Sequence, residues 1–225
     1  MIAITRDVSD SIQRCELTHL GREPIDVDRA RAQHREYVEL LEQLGCDVHA
    51  LPAASDLPDS VFVEDAALVF DEVAVLMRPG AASRRPEVDS VAVALAPLRP
   101  LVRIEPPATV DGGDVLVVDR DVYVGLSTRS TRAGIDQLAA LVAPHGYTVR
   151  AIEVRGCLHL KTAVTWIAPD TLVLNPEWVD RSLLGRRRFV EVEASEPFAA
   201  NAVRVGCEFD FGQKVGVGRG VVRTS

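Results

Sequence analysis

The sequence predicts an α/β fold assembled from repeated units, of the kind found in propellers and other arrays. Three observations carry this. Polar landmarks recur at near-constant spacing: Glu64, Asp111, His159 and Asn201 follow one another at intervals of 47, 48 and 42 residues. A short apolar strand precedes each landmark, and paired apolar runs joined by a polar turn come after it. A helical segment closes most units.

The leading strands are expected at residues 47–51, 101–104, 147–152 and 189–192. Each leads into a loop, usually with Pro, that delivers the polar landmark. The runs 67–70 with 73–76, and 115–118 with 122–124, read as β-hairpins, since β-branched residues flank turn residues such as Asp119-Arg120-Asp121. A helix is expected over 29–44, capped by Asp26 or Asp28 and ended by Gly45, with Tyr37, Leu40, Leu41 and Leu44 on one face. Another runs over 133–142 behind Ser130, with Ile135, Leu138, Leu141 and Val142 at helical spacing and Gly146 beyond. A weaker one spans 87–95 and is stopped by Pro97. In a ring of such units, equivalent loops converge at one end of the pseudo-symmetry axis. Chemistry collected at one phase of the repeat then becomes a single site.

Composition narrows the function. A chain of 225 residues with 47% hydrophobic and 26% charged residues has ordinary globular make-up. The net charge of -8 argues against a nucleic-acid partner, which wants clustered Lys and Arg, and suits a cationic ligand loosely. Cys15, Cys46, Cys157 and Cys207 lie far apart, which disfavours a zinc ribbon, a redox pair and a disulfide framework. Charge arrives too early in Met-Ile-Ala-Ile-Thr-Arg-Asp for a signal segment, and no apolar run approaches the ~20 residues that span a bilayer. A cytoplasmic protein without a membrane partner is expected. The glycines of 212–220 lack the strand, helix and Gly-Lys-Ser/Thr step of a phosphate loop, and no metal-ligand spacing stands out. No cofactor and no metal are expected.

Six blocks then point to one family. They are Pro58-Asp59-Ser60-Val61-Phe62-Val63-Glu64-Asp65; Arg78-Pro79-Gly80 with Ser83-Arg84-Arg85; Thr109-Val110-Asp111-Gly112-Gly113-Asp114; Gly125-Leu126-Ser127-Thr128-Arg129; Leu158-His159-Leu160-Lys161-Thr162; and Glu196-Pro197 with Ala199-Ala200-Asn201. In this order and spacing they resemble the signature blocks of dimethylarginine dimethylaminohydrolases, members of the pentein superfamily. The resemblance implies a pentein-type β/α propeller of pseudo-repeated ββαβ modules over a single domain, 1–225. It implies hydrolysis of a methylated arginine, the small-molecule partner, to citrulline and a methylamine.

The chemistry explains the residue types. A guanidinium is planar, permanently charged and a poor electrophile. It needs carboxylates along its N–H edges, a soft nucleophile for its carbon, and an acid for the departing amine. By resemblance, Asp59 holds the guanidinium or the amino-acid end, with Glu64 and Asp65 as further acidic contacts. Arg84 and Arg129 take the substrate carboxylate, and Leu17 lies in a loop over the pocket, Glu16-Leu17-Thr18-His19-Leu20-Gly21. His159 is the general acid/base, and Asp111 the carboxylate that orients it. Taken singly, Glu64 and Asp65 read also as a solvated strand end, His159 as a core histidine, Asp111 to Asp114 as a tight turn, and Arg84-Arg85 as surface charge.

The family's nucleophilic cysteine lies in its last module. Extending the period from Asn201 by about 45 residues reaches roughly position 246, past Ser225. The expectation is therefore about four complete modules, a fifth missing or altered, and residues 207–225 atypical for the family. None of the four cysteines matches the nucleophile. Cys157, expected on the same strand face as His159, reads as an inert buried thiol. Impaired turnover follows, with a silent binder of arginine-like ligands or another guanidine-modifying pentein, such as an arginine deiminase, as alternatives. An uncovered blade face would favour a homo-oligomer.

Overall fold

The structure is a computed structural model, and it describes residues 1–18, 21–204 and 220–222. The chain divides into two units, Met1–Arg103 and Ile104–Ser225. The tail expected to be atypical, including Cys207, falls mostly outside the described residues, as do His19 and Leu20 of the loop beside Leu17.

In the first unit, β1 (Ile2–Arg6) pairs in parallel with β2 (Asp47–Leu51), from Ile2 opposite Asp47 to Arg6 opposite Leu51. Parallel neighbours need a crossover, here supplied by α1 (Val27–Gln43). The Asp26 side chain accepts the Arg29 N–H at 3.0 Å, so Asp26 rather than Asp28 is the cap. Gly45 ends the segment at φ +83°, a conformation that glycine adopts without strain. β1 lies ahead of the repeat that predicts the other strands and so has no counterpart in the sequence expectation.

β3 (Ala67–Val69) and β4 (Ala74–Leu76) form the first hairpin, and β5 (Leu101–Arg103) joins β4 in parallel after α2 (Glu87–Leu95). Val88, Val91 and Leu95 recur at helical spacing and bury against Ala74 and Leu76, with Ile4 and Leu51 packed alongside.

The second unit repeats that plan. β6 (Val115–Val118) and β7 (Asp121–Leu126) form a hairpin, and β8 (Thr148–Glu153) joins β7 in parallel after α3 (Arg132–Val142). The hairpin turns at Asp119, φ +55°, a left-handed position that Asp tolerates better than most residues. Then α4 (Leu160–Ala163) leads into β9 (Val164–Ala168) and β10 (Thr171–Leu174), with β11 (Arg188–Glu191) parallel to β10. β12 (Ala202–Arg204) and β13 (Gly220–Val222) pair in parallel. Tyr123, Ile152, Leu160, Leu172, Leu174 and Leu184 form the core of this unit. The result is an α/β fold of several small sheets, three of which combine a hairpin with one parallel third strand. No helix among the described residues is long and apolar enough to cross a membrane.

Two local expectations are corrected. Thr131, not Ser130, caps α3, its hydroxyl accepting the Gly134 N–H at 3.2 Å, because the Ser130 hydroxyl is engaged with a carboxylate elsewhere. Cys157 and His159 do not share a strand face: Gly156 turns the chain at φ +70°, and His159 is the residue before α4.

Candidate functional site

In the first unit, a short 3-10 turn over Val63–Asp65 follows the loop that carries Asp59. The burial is asymmetric: Asp59 and Asp65 are buried, whereas Glu64 between them is exposed. Arg84 binds this loop together. Its Nη1 donates to Asp65 Oδ2 at 2.6 Å and its Nη2 to Glu87 Oε2 at 2.9 Å. Nη2 also reaches the carbonyls of Asp59 and Phe62, both at 3.3 Å, and Nε meets the Glu87 carboxylate at 3.2 Å. Burial opposes a charged guanidinium here, but Glu87 and Asp65 outweigh it and hold the Arg84 pKa above its ordinary value. The structure thus turns the Arg84 fork onto protein groups, with only 4% of the residue exposed.

Asp59 faces the segment that leads to Leu17. Both of its carboxylate oxygens accept the Glu16 N–H, at 3.2 and 3.1 Å. The Ser83 hydroxyl donates to the Glu16 carboxylate, and Arg22 Nη2 donates to the Cys15 carbonyl at 2.7 Å. Leu17 itself is 38% exposed. Asp59, Asp65 and Arg84 are therefore joined in one bonded cluster, with Leu17 tied to it through its neighbour Glu16.

The second unit holds the other expected residues. Asp111 and Asp114 bracket a turn over Gly112–Asp114, and both are completely buried. Asp114 Oδ2 accepts the hydroxyls of Ser127 and Ser130, at 2.7 and 2.6 Å. Its Oδ1 accepts the Leu160 N–H at 3.1 Å and lies 3.4 Å from His159 Nδ1. On the other side of the ring, Asp111 Oδ2 lies 4.0 Å from His159 Nε2 and 3.9 Å from Arg129 Nη1. Ser127 Oγ accepts the N–H groups of Arg129 and Ser130, at 3.0 and 3.1 Å, so the turn that displays Arg129 is held by the serine before it. An imidazole with a carboxylate at each nitrogen and a guanidinium alongside is suited to proton transfer and to binding an anionic group.

The motif blocks assign Asp111, Arg129 and His159 to the site; Asp114, Ser127 and, in the first unit, Glu87 join them only through the fold, and Ser130, expected as a helix start, serves the Asp114 carboxylate instead. The second Asp of Asp-Gly-Gly-Asp was visible, but only the fold shows which partner it meets.

Cys15, Cys46 and Cys157 are buried and unpaired with one another. Cys157 Sγ donates to the His159 carbonyl at 3.3 Å. Burial, reinforced by the charge of Asp114, pushes its thiol up to about 11. A variant keeping Cys157 as its single thiol is expected to react with a disulfide reagent at pH 8 only after unfolding. Fast native labelling would contradict this.

Comparison with known proteins points one way. The family model described as N,N dimethylarginine dimethylhydrolase, eukaryotic, matches residues 7–196. The N(G),N(G)-dimethylarginine dimethylaminohydrolase of Streptomyces coelicolor is 42% identical over 172 residues, covering 76% of this chain and 67% of that protein. The enzyme of the same name from Pseudomonas aeruginosa is 33% identical over 190 residues, covering 84% and 74%. A structure of the Pseudomonas aeruginosa protein, as a cysteine-to-serine mutant complexed with citrulline, superposes with a TM-score of 0.84 at 32% identity, covering 90% of this chain and 80% of that one. The N-terminal domain of the cyanobacterial arginine dihydrolase ArgZ shares the fold, with a TM-score of 0.76 at 18% identity over 90% of this chain and 80% of that chain. With the family's model spanning most of the chain, and two curated relatives above 30% identity, the chain belongs to the dimethylarginine dimethylaminohydrolase family of hydrolases, in the pentein fold.

Proposed function

We propose that the protein acts on an Nω-methylated arginine, with citrulline and methylamine or dimethylamine as products. The observation that carries this is His159 flanked by Asp114 and Asp111 in a chain whose relatives bear that activity in their names. In this reading His159 is the general acid/base and Asp111 the carboxylate that steadies its charge. Asp59, Glu64 and Asp65 are the acidic contacts of the ligand's cationic groups. Arg129 takes the ligand carboxylate and Leu17 belongs to the covering loop. Arg84, whose fork is turned onto Asp65 and Glu87, serves the ligand by holding that acidic loop. The propeller arrangement of ββαβ modules, in a single domain over 1–225, is part of the same proposal. It is supported by the three sheets of like topology.

A second reading, an arginine-like ligand binder without turnover, is favoured by the burial of Cys15, Cys46 and Cys157. One experiment separates the two. Purified protein is incubated with asymmetric dimethylarginine, citrulline is measured, and binding is followed by calorimetry. Hydrolysis predicts citrulline release that falls by about 10²–10⁴ in His159→Ala, the usual worth of a general acid/base. Binding without citrulline establishes the silent binder; neither binding nor product removes both readings. Arg129→Gln is expected to weaken binding by about 10- to 100-fold, the value of a charge-assisted hydrogen-bond pair. Unchanged affinity would take Arg129 out of the site.

A further inference from the structure

We infer that Asp114 is the positioning residue for His159, holding the imidazole with Nδ1–H toward Asp114 and Nε2 toward Asp111 and Arg129. The inference deepens the proposed function and rests on it.

The geometry begins with a cost. A carboxylate removed entirely from water is unfavourable by several kcal/mol unless other groups offset it. Asp114 is 0% exposed, and three donors surround it: the hydroxyls of Ser127 and Ser130 and the N–H of Leu160. None of these belongs to its own turn. Two flank Arg129, and the third opens α4, immediately after His159. One carboxylate therefore fastens the Arg129 turn and the His159 backbone to the Gly112–Asp114 turn. Gly125 makes the approach possible. A Cβ there would lie 3.0 Å from Asp114 Oδ1 and 3.1 Å from Leu160 Cβ, tighter than ordinary contact.

The oxygen that accepts the Leu160 N–H is also the one that stands at ion-pair distance, 3.4 Å, from His159 Nδ1, so Asp114 acts on that nitrogen through its charge rather than through an aligned hydrogen bond. Its negative charge favours a proton on that nitrogen. On the opposite, Nε2 side of the ring stands Asp111 at 4.0 Å, itself 3.9 Å from Arg129 Nη1, so the guanidinium offsets part of the Asp111 charge there while Asp114 lies closer to its own nitrogen. An imidazole that carries its proton at Nδ1 keeps Nε2 available to give or take a proton, which an acid/base needs.

The test reads the ring itself. Long-range nitrogen–proton NMR of ¹⁵N-histidine-labelled protein resolves the tautomer, with the His159 signal assigned by its loss in His159→Gln among the five histidines. In the unmodified protein, neutral His159 is expected to carry its proton on Nδ1; a proton on Nε2 overturns the inference and needs no variant to fold. In Asp114→Asn, the His159 midpoint is expected to fall by about 1 pH unit and the tautomer preference to be lost. Ser127→Ala, which loosens the loop but keeps the carboxylate, is expected to leave both in place. A folded Asp114→Asn with unchanged tautomer and midpoint overturns the inference while citrulline release and ligand binding still support the function. If His159→Ala leaves citrulline release intact, the functional reading falls, and the inference falls with it.

Discussion

Arg84→Ala is expected to destabilise the protein by about 3–5 kcal/mol, the cost of removing one partner from a buried ion cluster. The side chains of Arg84, Asp65 and Glu87 are 5%, 8% and 3% exposed, so deletion takes the shared guanidinium away from two buried like charges. Chemical denaturation at pH 7 measures the loss. The pH dependence then adds a sign. In the intact protein the Arg84 pKa is raised, so its contribution is present through neutral pH and is lost only as pH climbs past that folded value. Burial already holds the Glu87 pKa above its usual value in the intact protein, against the pull of Arg84; removing the guanidinium raises it further, so in the variant stability is recovered at low pH and lost as pH increases. Arg84→Lys keeps charge but not the fork, and should fall between the two. A variant within 1 kcal/mol of the parent, by the rough scale of surface substitutions, would show that the cluster holds nothing in place.

Gly134→Ala sets two rules against each other. Helix propensity alone favours Ala over Gly by about 1 kcal/mol within α3. Geometry opposes it: a Cβ at 134 would stand 2.2 Å from the Thr109 carbonyl oxygen and 2.6 Å from Val110 Cγ2. Backbone cannot swing aside as a flexible side chain can, so a net loss of about 3 kcal/mol is expected, at the upper end of overpacking. The same carbonyl accepts the Thr131 N–H at 2.9 Å, and the Thr109 N–H is bound by the Thr131 hydroxyl at 3.2 Å. Pushing α3 away thus disturbs the loop that runs into Asp111, and ligand affinity should fall alongside the melting point. A stabilised variant would mean that the contact relaxes freely.

Periodicity made much of the fold legible. The expected strands at 47–51, 101–104, 147–152 and 189–192 correspond to β2, β5, β8 and β11, and α2 spans Glu87–Leu95 as expected. These elements are set by local apolar patterns. Features set by distant partners were not legible. Ser130 has the chemistry of a helix cap, yet Asp114, sixteen residues earlier in the chain, takes its hydroxyl. His159 lies between two leucines and looks like part of a strand, but Gly156 turns the chain first. Motif blocks identified Asp111, Arg129 and His159 without indicating how they meet. Arg84 shows the limit most plainly, since a sequence registers an arginine but not the carboxylates already aligned with its fork.

The bond between Asp59 and Glu16 reaches beyond these two residues. What Asp59 grips is the main-chain amide at position 16, a group that every amino acid except proline supplies. The strap ahead of Leu17 is thus fastened without regard to which side chain stands at its anchor. Substitutions at 16 and 17 can alter what this edge presents to a visitor while the anchor stays put, so its chemistry can drift among relatives faster than its shape.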